Sequence, residues 1–477
     1  MRQSVCFGSP FFSATAHPRA VESALLFPLS LSTLFFLPPT PACLCRFPTR
    51  CLQPHPTGTM PIERLGGQSP TVGLNNIYMV HVDKAGDELP ENDGTFMSDT
   101  LVARLHADPP VTDVILISHG YNVQDGATAV AGYRQWASAM GAHARGLAQI
   151  RSARCGTFTP LIIGLHWPSS VVRHLLAAYQ QPTPASVAKA GKSLLKGGLA
   201  AGWVVGSSAV AALSAMDTCR GGLGKKLAKG VQAGGRAAVE GTQDCVFGDY
   251  QRRAATVGRG TGHRLLVKLM TAAAGVEAAA TVAAGARRSP PPPIAFHAAG
   301  HSLGCHVVCG AVAGPEVDGG GVKPALPRRL HSLVLIQGAM PADCLSTGGV
   351  YRVVRPSVAG VVIVTTSTTD NALGLYATGW GEAIGVVGAK WTGAASRKPS
   401  VLRLKAATRY RFRPGQLINV DAREYIRNDS DACFNLCGGH LNFLHIEVLQ
   451  VVWDAMTTPV DSRAYTVTST IRVKPTS

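Results

Sequence analysis

The sequence predicts an α/β protein with a mostly parallel central sheet that is covered by helices on both faces. From residue 76 onward, short runs of aliphatic and β-branched residues alternate with segments of helical spacing. Such alternation is typical of parallel sheets whose strands are connected by helices. One of the apolar runs also leads directly into a glycine-rich turn that is followed by another helical segment.

Each predicted element is a short apolar run or a segment with one apolar face. The first helix, Gly126 to Met140, has Val130, Tyr133 and Trp136 near one face, and the second covers Val307 to Val312. Uninterrupted apolar strands are expected where both faces of a sheet are buried. The predicted strands are Ile77 to Val82, Val114 to Ser118, Leu161 to Leu165, Ile294 to Ala299, Leu333 to Ile336, Val361 to Thr365 and Leu417 to Val420.

Residues 1–59 form an extension that we expect to lie outside the fold. The segment is rich in Pro, Ser and Phe, has a single acidic residue, and contains an apolar run from Ala24 to Leu37. A secretory signal, a transit peptide and a true start at Met60 all fit this pattern. The chain is expected to be secreted or membrane-associated if the segment is a signal, and cytoplasmic otherwise.

The main domain is predicted to span residues 60–477 and to carry an insertion at residues 183–293, before the glycine-rich turn. Strand-helix alternation stops there, and the segment is basic and rich in Ala and Gly. Its part from Leu194 to Met216 is nearly uncharged, with a glycine at every fourth position (Gly198, Gly202, Gly206). Three interpretations remain open: a lid or buried hairpin, a helix lying on a membrane, or a membrane span.

The net charge of +17 and the isoelectric point near 9.6 favour an anionic partner such as a membrane surface. The basic residues are scattered, and the sequence contains no zinc-finger or helix-turn-helix pattern, so no nucleic-acid partner is expected. Twelve cysteines are spread along the chain without the paired spacing of a zinc site. The sequence therefore predicts neither a metal nor a cofactor.

The strongest motif is Gly300-His301-Ser302-Leu303-Gly304, which follows the apolar run Ile294 to Ala299. A serine flanked by two such glycines permits a tight and strained turn from a strand into a helix. This turn exposes the serine oxygen above the sheet and directs the helix N-terminus toward a developing negative charge. The motif points to Ser302 as a nucleophile.

With this motif in its strand-turn-helix context, residues 76–456 resemble the α/β-hydrolase superfamily, nearest to its lipase- and esterase-like members. The resemblance implies the α/β-hydrolase fold and a triad in the order Ser, acid, His. It further implies that the acid follows the strand two beyond the nucleophile strand, which favours Asp370. Asp343, after the preceding strand, is the alternative acid.

The resemblance also implies that the base follows the last strand and precedes the C-terminal helix. His440 comes after two glycines and is the preferred candidate, whereas His445 starts the apolar pattern of the helix and is the alternative. The other histidines of the elbow, His301 and His306, are expected to point away from the serine oxygen.

The segment Ser118-His119-Gly120-Tyr121-Asn122 follows a central strand, where the superfamily forms half of its oxyanion hole. The resemblance implies that backbone N–H groups of Tyr121 and Leu303 stabilise the tetrahedral intermediate, as paired donors do. The expected function is cleavage of a carboxylic ester, with a small-molecule or lipid ester as substrate. Acyl transfer and thioester cleavage would use the same residues, and an inactive binding or membrane-associated scaffold protein is the alternative from another class.

Overall fold

The computed structural model describes part of the chain. The described residues are 74, 77–121, 123, 125–169, 248–285, 292–315, 326–370, 372–373, 376, 381–391, 398–427 and 438–461. The predicted extension at residues 1–59 lies outside them. So do residues 183–247 of the predicted insertion, including its Gly198, Gly202 and Gly206.

The described residues form an eight-stranded sheet in the order β1-β3-β2-β4-β5-β6-β8-β7, and every pairing in it is parallel. The predicted α/β class with a parallel central sheet is therefore confirmed. The strands are β1 (Ile77–His81), β2 (Asp113–Ser118), β3 (Pro160–His166), β4 (Ala295–His301), β5 (Leu330–Ile336), β6 (Val358–Thr366), β7 (Ser400–Arg403) and β8 (Gln416–Asp421).

Helices cover both faces of this sheet. One face packs against α1, α4 and α5, and the other packs against α2, α3 and α7. The described helices are α1 (Met97–Leu105), α2 (Gly126–Ala142), α3 (Ala144–Ala153), α4 (Gly248–Ala284), α5 (Gly304–Ala313), α6 (Ile384–Val387) and α7 (Ile446–Met456).

Alternating side chains of the central strands supply both cores. In β2, Val114 and Leu116 join the core beneath α4 and α5, whereas Ile115 and Ile117 join the core beneath α2 and α7. Successive side chains of a strand point to opposite faces, so a strand that is apolar throughout needs a helical layer on each side. The uninterrupted apolar runs of the sequence follow from this requirement.

The helix α4 lies within the predicted insertion, yet its part up to Ala273 belongs to the core. Leu265, Leu269 and Met270 are buried in the same cluster as α5, and the helix contains a π-helical turn at Gly258–Gly262. Among the described helices, α4 alone is long and apolar enough to cross a membrane by length and composition. Core helices share these properties, and α4 packs as one as far as Ala273.

Among the described strands, β7 is the one that the sequence pattern does not indicate. It is a short edge strand in which Val401 is exposed, and it pairs with β8 alone. Because one side of such a strand faces solvent, it lacks the apolar run by which the central strands are recognised. The predicted strands all coincide with observed ones, and their bounds differ by at most three residues.

Candidate active site

The predicted nucleophile, Ser302, lies in a strained turn between β4 and α5. Its φ is +55°, a conformation that residues other than glycine rarely adopt, and its N–H donates to the carbonyl of Ile336 at 3.0 Å. The strain expected from the sequence is therefore confirmed. Ser302 sits at the carboxyl edge of the sheet, where ligands bind in open parallel α/β sheets.

Both glycines of the motif are required by close backbone contacts. A Cβ on Gly300 would lie 2.6 Å from the carbonyl oxygen of Gly304. A Cβ on Gly304 would lie 2.3 Å from the carbonyl oxygen of Ser118, in the neighbouring strand β2. A side chain at Gly300 would open the turn between β4 and α5, and one at Gly304 would push the turn away from β2.

The turn after β2 faces Ser302 directly. A Cβ on Gly120 would lie 2.7 Å from Cβ of Ser302 and 3.2 Å from its Oγ. The predicted oxyanion turn and the predicted nucleophile are thus in contact. The N–H of Leu303, the first of the two predicted donors, makes no hydrogen bond with any described residue.

Tyr121, which carries the second predicted donor, is the residue directly after Gly120. Its ring packs edge-on against Tyr250 of α4 with 5.1 Å between the ring centres. Burial raises the pKa of the Tyr121 hydroxyl, and the residue packs against the core cluster that includes α4 and α5.

The turn after β2 is held in place by His119. Its Nδ1–H donates to the carbonyl of Gly120 at 2.9 Å, while its Nε2 accepts from the N–H of Trp167 at 3.3 Å. Only a neutral ring with the proton on Nδ1 makes both bonds. Burial lowers the pKa of His119 to about 4 and so favours this neutral form.

Trp167 and Tyr133 complete the support of this turn. The indole of Trp167 stacks on His119 with 5.6 Å between ring centres and donates to the His119 carbonyl at 3.2 Å. The hydroxyl of Tyr133 accepts from the His119 N–H at 3.0 Å. Sequence reasoning assigned Trp167 no role, because its contact with His119 depends on the pairing of β2 with β3.

Asp370 and His440 are brought together at the same edge of the sheet. Nδ1 of His440 donates to Oδ2 of Asp370 at 2.7 Å, although the two residues are 70 positions apart in the chain. Asp370 follows β6, and His440 lies in the 3₁₀ segment Gly438–Leu444 that precedes α7. Both side chains are largely buried.

Asp370 is held as a carboxylate. Its burial acts to raise the pKa of the carboxyl group, but the hydrogen bond and charge of His440 oppose this effect and, with donors from Leu373 and Gln337, bring the net pKa below its ordinary value. An ionised acid on Nδ1 keeps the proton of a neutral imidazole on that nitrogen and leaves Nε2 able to accept one.

The alternative acid and base are not part of this arrangement. Asp343 is exposed in the turn after β5, where its carbonyl accepts from the N–H of Ser346. His445 is exposed at the start of α7, and its Nδ1 pairs with Glu447 at 2.5 Å. Of the predicted acids and bases, Asp370 and His440 are the ones that contact each other, at the edge of the sheet where Ser302 lies.

Ser302 and His440 do not form a hydrogen bond in the described structure. Serine and histidine side chains of this kind are often further apart before substrate binds than in the reacting complex. Proton transfer between them would require the two side chains to approach each other.

The first turns of α4 border the site. The guanidinium of Arg253 donates to the carbonyl of Pro168 at 2.8 Å and lies over the ring of Tyr250. The amide of Gln251 donates to the hydroxyl of Tyr376, beyond Asp370, at 3.1 Å. The start of α4 is therefore tied to the segments after both β3 and β6, on either side of Ser302.

Two contacts of the pair were not predicted from the sequence, which named His301 only as pointing away from the serine oxygen. Gln337, directly after β5, donates to Asp370, and His301 donates to the carbonyl of His440. Neither contact has a sequence signal, because each joins segments more than 30 positions apart. Among the described residues, no group of three or more His, Cys, Asp or Glu side chains is arranged to hold a metal ion.

No family model, no curated protein and no solved structure matches this chain. A fold by itself does not determine a function. The function is therefore inferred from the geometry of the site.

Proposed function

We propose that the protein is a serine hydrolase of the α/β-hydrolase fold that cleaves a carboxylic ester. The observation that carries the proposal is the strained Ser302 at the carboxyl edge of the sheet, beside a buried Asp370–His440 pair joined at 2.7 Å. Strained backbone at a residue with a reactive side chain is a feature of functional sites.

The order of the elements supports the fold assignment. Ser302 follows β4, Asp370 follows the strand two positions later in the chain, and His440 lies between the last strand and α7. This is the order Ser, acid, His that the superfamily uses.

In the proposed reaction, Oγ of Ser302 attacks the ester carbonyl as Nε2 of His440 removes the hydroxyl proton. Asp370 stabilises the imidazolium that forms. The imidazolium then protonates the leaving alcohol, which produces the acyl-enzyme. A water molecule, deprotonated by the same nitrogen, attacks the acyl-enzyme and releases the carboxylic acid together with free Ser302.

The oxyanion of each tetrahedral intermediate would be stabilised by backbone N–H groups of Leu303 and Tyr121. The contact between Gly120 and Ser302 supports this role, because it leaves a reacting carbonyl close to both segments. The loss of one such donor costs roughly 2.7–4 kcal/mol of transition-state stabilisation. The bonds of His119 to Gly120 and Trp167 would keep the turn rigid between turnovers.

An apolar ester is the substrate class that the surroundings of the site favour. Leu441, directly after His440, is 60% exposed, and Ile446 at the start of α7 is 57% exposed. Exposed large apolar side chains beside a reactive group suit an acyl chain or a lipid surface. An anionic membrane surface is the proposed partner, consistent with the net charge of +17.

Turnover of p-nitrophenyl esters of increasing acyl length by purified protein tests the proposal. We expect hydrolysis that is abolished in Ser302→Ala and reduced roughly 10³- to 10⁴-fold in Asp370→Asn, which removes the carboxylate from Nδ1. Preferential transfer to an added alcohol, or preference for a thioester, would instead indicate an acyltransferase or thioesterase. No turnover of any substrate by folded protein would favour a binding or scaffold protein.

A further inference from the structure

The turn after β5 contains a residue in a strained conformation for which the proposed chemistry gives no reason. Gln337 has a φ of +47° and is fully buried. Its N–H donates to Oγ1 of Thr365 at 3.0 Å. Conformations of this kind persist only where the surrounding structure fixes them, and they are concentrated at functional sites.

The side-chain amide of Gln337 donates two hydrogen bonds. Nε2 lies 2.8 Å from Oδ2 of Asp370 and 3.2 Å from the carbonyl oxygen of Gly439. A carboxylate and a carbonyl only accept, so the orientation of the amide is fixed. Its Oε1 is buried and has no partner among the described residues. An unpaired buried carbonyl is unfavourable, so this orientation serves the two acceptors and not Gln337 itself.

His301 holds the next carbonyl of the same segment. Its Nε2–H donates to the carbonyl of His440 at 2.9 Å. Its ring stacks on Phe443 with 4.2 Å between ring centres. Burial is the largest cause that lowers the pKa of His301, to about 3. The ring is therefore neutral, and its single N–H is the one that binds His440.

The two contacts act on consecutive peptide groups. Gln337 binds the carbonyl of Gly439, and His301 binds that of His440. The 3₁₀ segment Gly438–Leu444 contains both carbonyls, and the hydrogen bonds of a 3₁₀ helix have poorer geometry than those of an α-helix. Donors from outside the segment therefore help to fix the backbone that carries the His440 ring.

We propose that Gln337 and His301 are positioning residues that clamp the backbone of the His440 segment and thereby keep its imidazole on Asp370 in one orientation. Gln337 has the larger role, because one amide group binds both the acid and the segment that carries the base. The expected effect on reactivity rests on the proposed function, whereas the effect on the orientation of the Asp370–His440 pair does not.

The test uses variants that keep side-chain volume and remove the donors. Gln337→Met and His301→Phe remove one donor each, and the phenyl ring retains the stack on Phe443. Gln450→Met is the matched control, because Gln450 is also buried and donates to a carboxylate, Asp454 at 2.9 Å, but from α7 and away from His440.

Two measurements are made on each full-length variant. The first is the downfield proton NMR signal of the Nδ1–H that binds Asp370, assigned by its loss in His440→Ala. The second is the rate of labelling by a fluorophosphonate. We expect the signal to broaden beyond detection in Gln337→Met and to weaken in His301→Phe. The labelling rate should fall roughly 10- to 100-fold in Gln337→Met, while Gln450→Met matches wild type in both measurements.

Each outcome decides the proposal. A signal and a labelling rate within twofold of wild type in folded Gln337→Met would overturn it, as would the absence of the signal from wild type. If Gln337→Met does not fold, His301→Phe decides by the same two measurements. If wild type gives the signal but is not labelled, the proposed function fails. The effect of the variants on the signal then still shows whether Gln337 and His301 hold the His440 segment.

Discussion

The contact between Gly120 and Ser302 leaves no space for a side chain at position 120. A methyl group at position 120 would lie 2.7 Å from Cβ of Ser302, closer than such atoms approach each other. Gly120→Ala should therefore displace Ser302 relative to the oxyanion turn. We expect the rate of fluorophosphonate labelling to fall about 100-fold, because a displacement of about 1 Å has effects of this size.

The same variant should also lose about 1–3 kcal/mol of unfolding free energy, as measured by urea unfolding. Gly132→Ala is the matched control, because Gly132 is exposed on α2 and a Cβ there meets no atom within 4 Å. Labelling that is equally fast in Gly120→Ala and Gly132→Ala would show that the turn after β2 does not border the reacting serine.

The residues of the site differ in how far the sequence predicts them. Ser302 lies in a local motif whose glycines and flanking strand are visible in the sequence, and the positions of Asp370 and His440 follow from a family resemblance. Gln337 and His301 have no such signal, because their partners come from other strands. The role of Gln337 depends on contacts between β5, β6 and the His440 segment in the folded chain. A glutamine that follows a strand is not a recognisable sequence motif.

At the scale of elements, α4 and α5 meet at a glycine contact. A Cβ on Gly258, in the π-helical turn of α4, would lie 2.3 Å from the carbonyl oxygen of Val307 in α5. Backbone atoms cannot move aside as a flexible side chain can. Gly258→Ala should therefore reduce the free energy of unfolding by about 1–3 kcal/mol, measured by urea denaturation.

Another glycine of the same helix provides the control for this prediction. Gly275 is exposed, and a Cβ there meets no atom within 4 Å. Gly275→Ala should stabilise the protein by about 0.5–1 kcal/mol, because alanine is the better helix former. Equal stability of Gly258→Ala and wild type would mean that α4 does not pack on α5 as described.

The central strands could be predicted from the sequence because burial of both faces makes them apolar throughout. The helix α4 shows the limit of this reasoning. Its part up to Ala273 is a core helix, yet its composition of Ala, Gly and Val equally suits a lid or a membrane helix. Tertiary contacts determine whether such a helix packs on the core or lies elsewhere. Periodicity within one segment does not reveal these contacts.

At the scale of the molecule, buried histidines make stability depend on pH. Burial is the largest cause that lowers the pKa of each, to about 4 for His119 and His306 and about 3 for His301. Among the described residues, the histidines whose pKa is lowered by burial are His81, His119, His263, His297, His301, His306 and His331.

The lowered pKa values of these histidines determine whether stability rises or falls with pH. In the unfolded chain a histidine has a pKa of about 6.5, so below that pH the unfolded state binds protons that the folded state does not. Each such proton reduces the stability by about 1.4 kcal/mol per pH unit. We therefore expect the free energy of unfolding to be constant from pH 8 to 7 and to fall by several kcal/mol between about pH 6 and 5.

Urea unfolding at each pH, followed by circular dichroism, measures this dependence. His306→Phe removes one buried ring, so the unfolded state should take up about one proton fewer than in wild type, and the slope of unfolding free energy against pH should fall accordingly. His106 is exposed, so His106→Asn should leave this slope unchanged. An unfolding free energy that stays constant down to pH 5 would contradict the buried, neutral state of these histidines.

The central claim, an activated serine at position 302, is tested most directly by mass spectrometry of the peptide that a fluorophosphonate modifies. We predict a single adduct on Ser302 in wild type that is lost in His440→Ala and retained in His445→Ala. An adduct that persists in His440→Ala and disappears in His445→Ala would assign the base to His445. Folded wild-type protein without an adduct on Ser302 would contradict the claim.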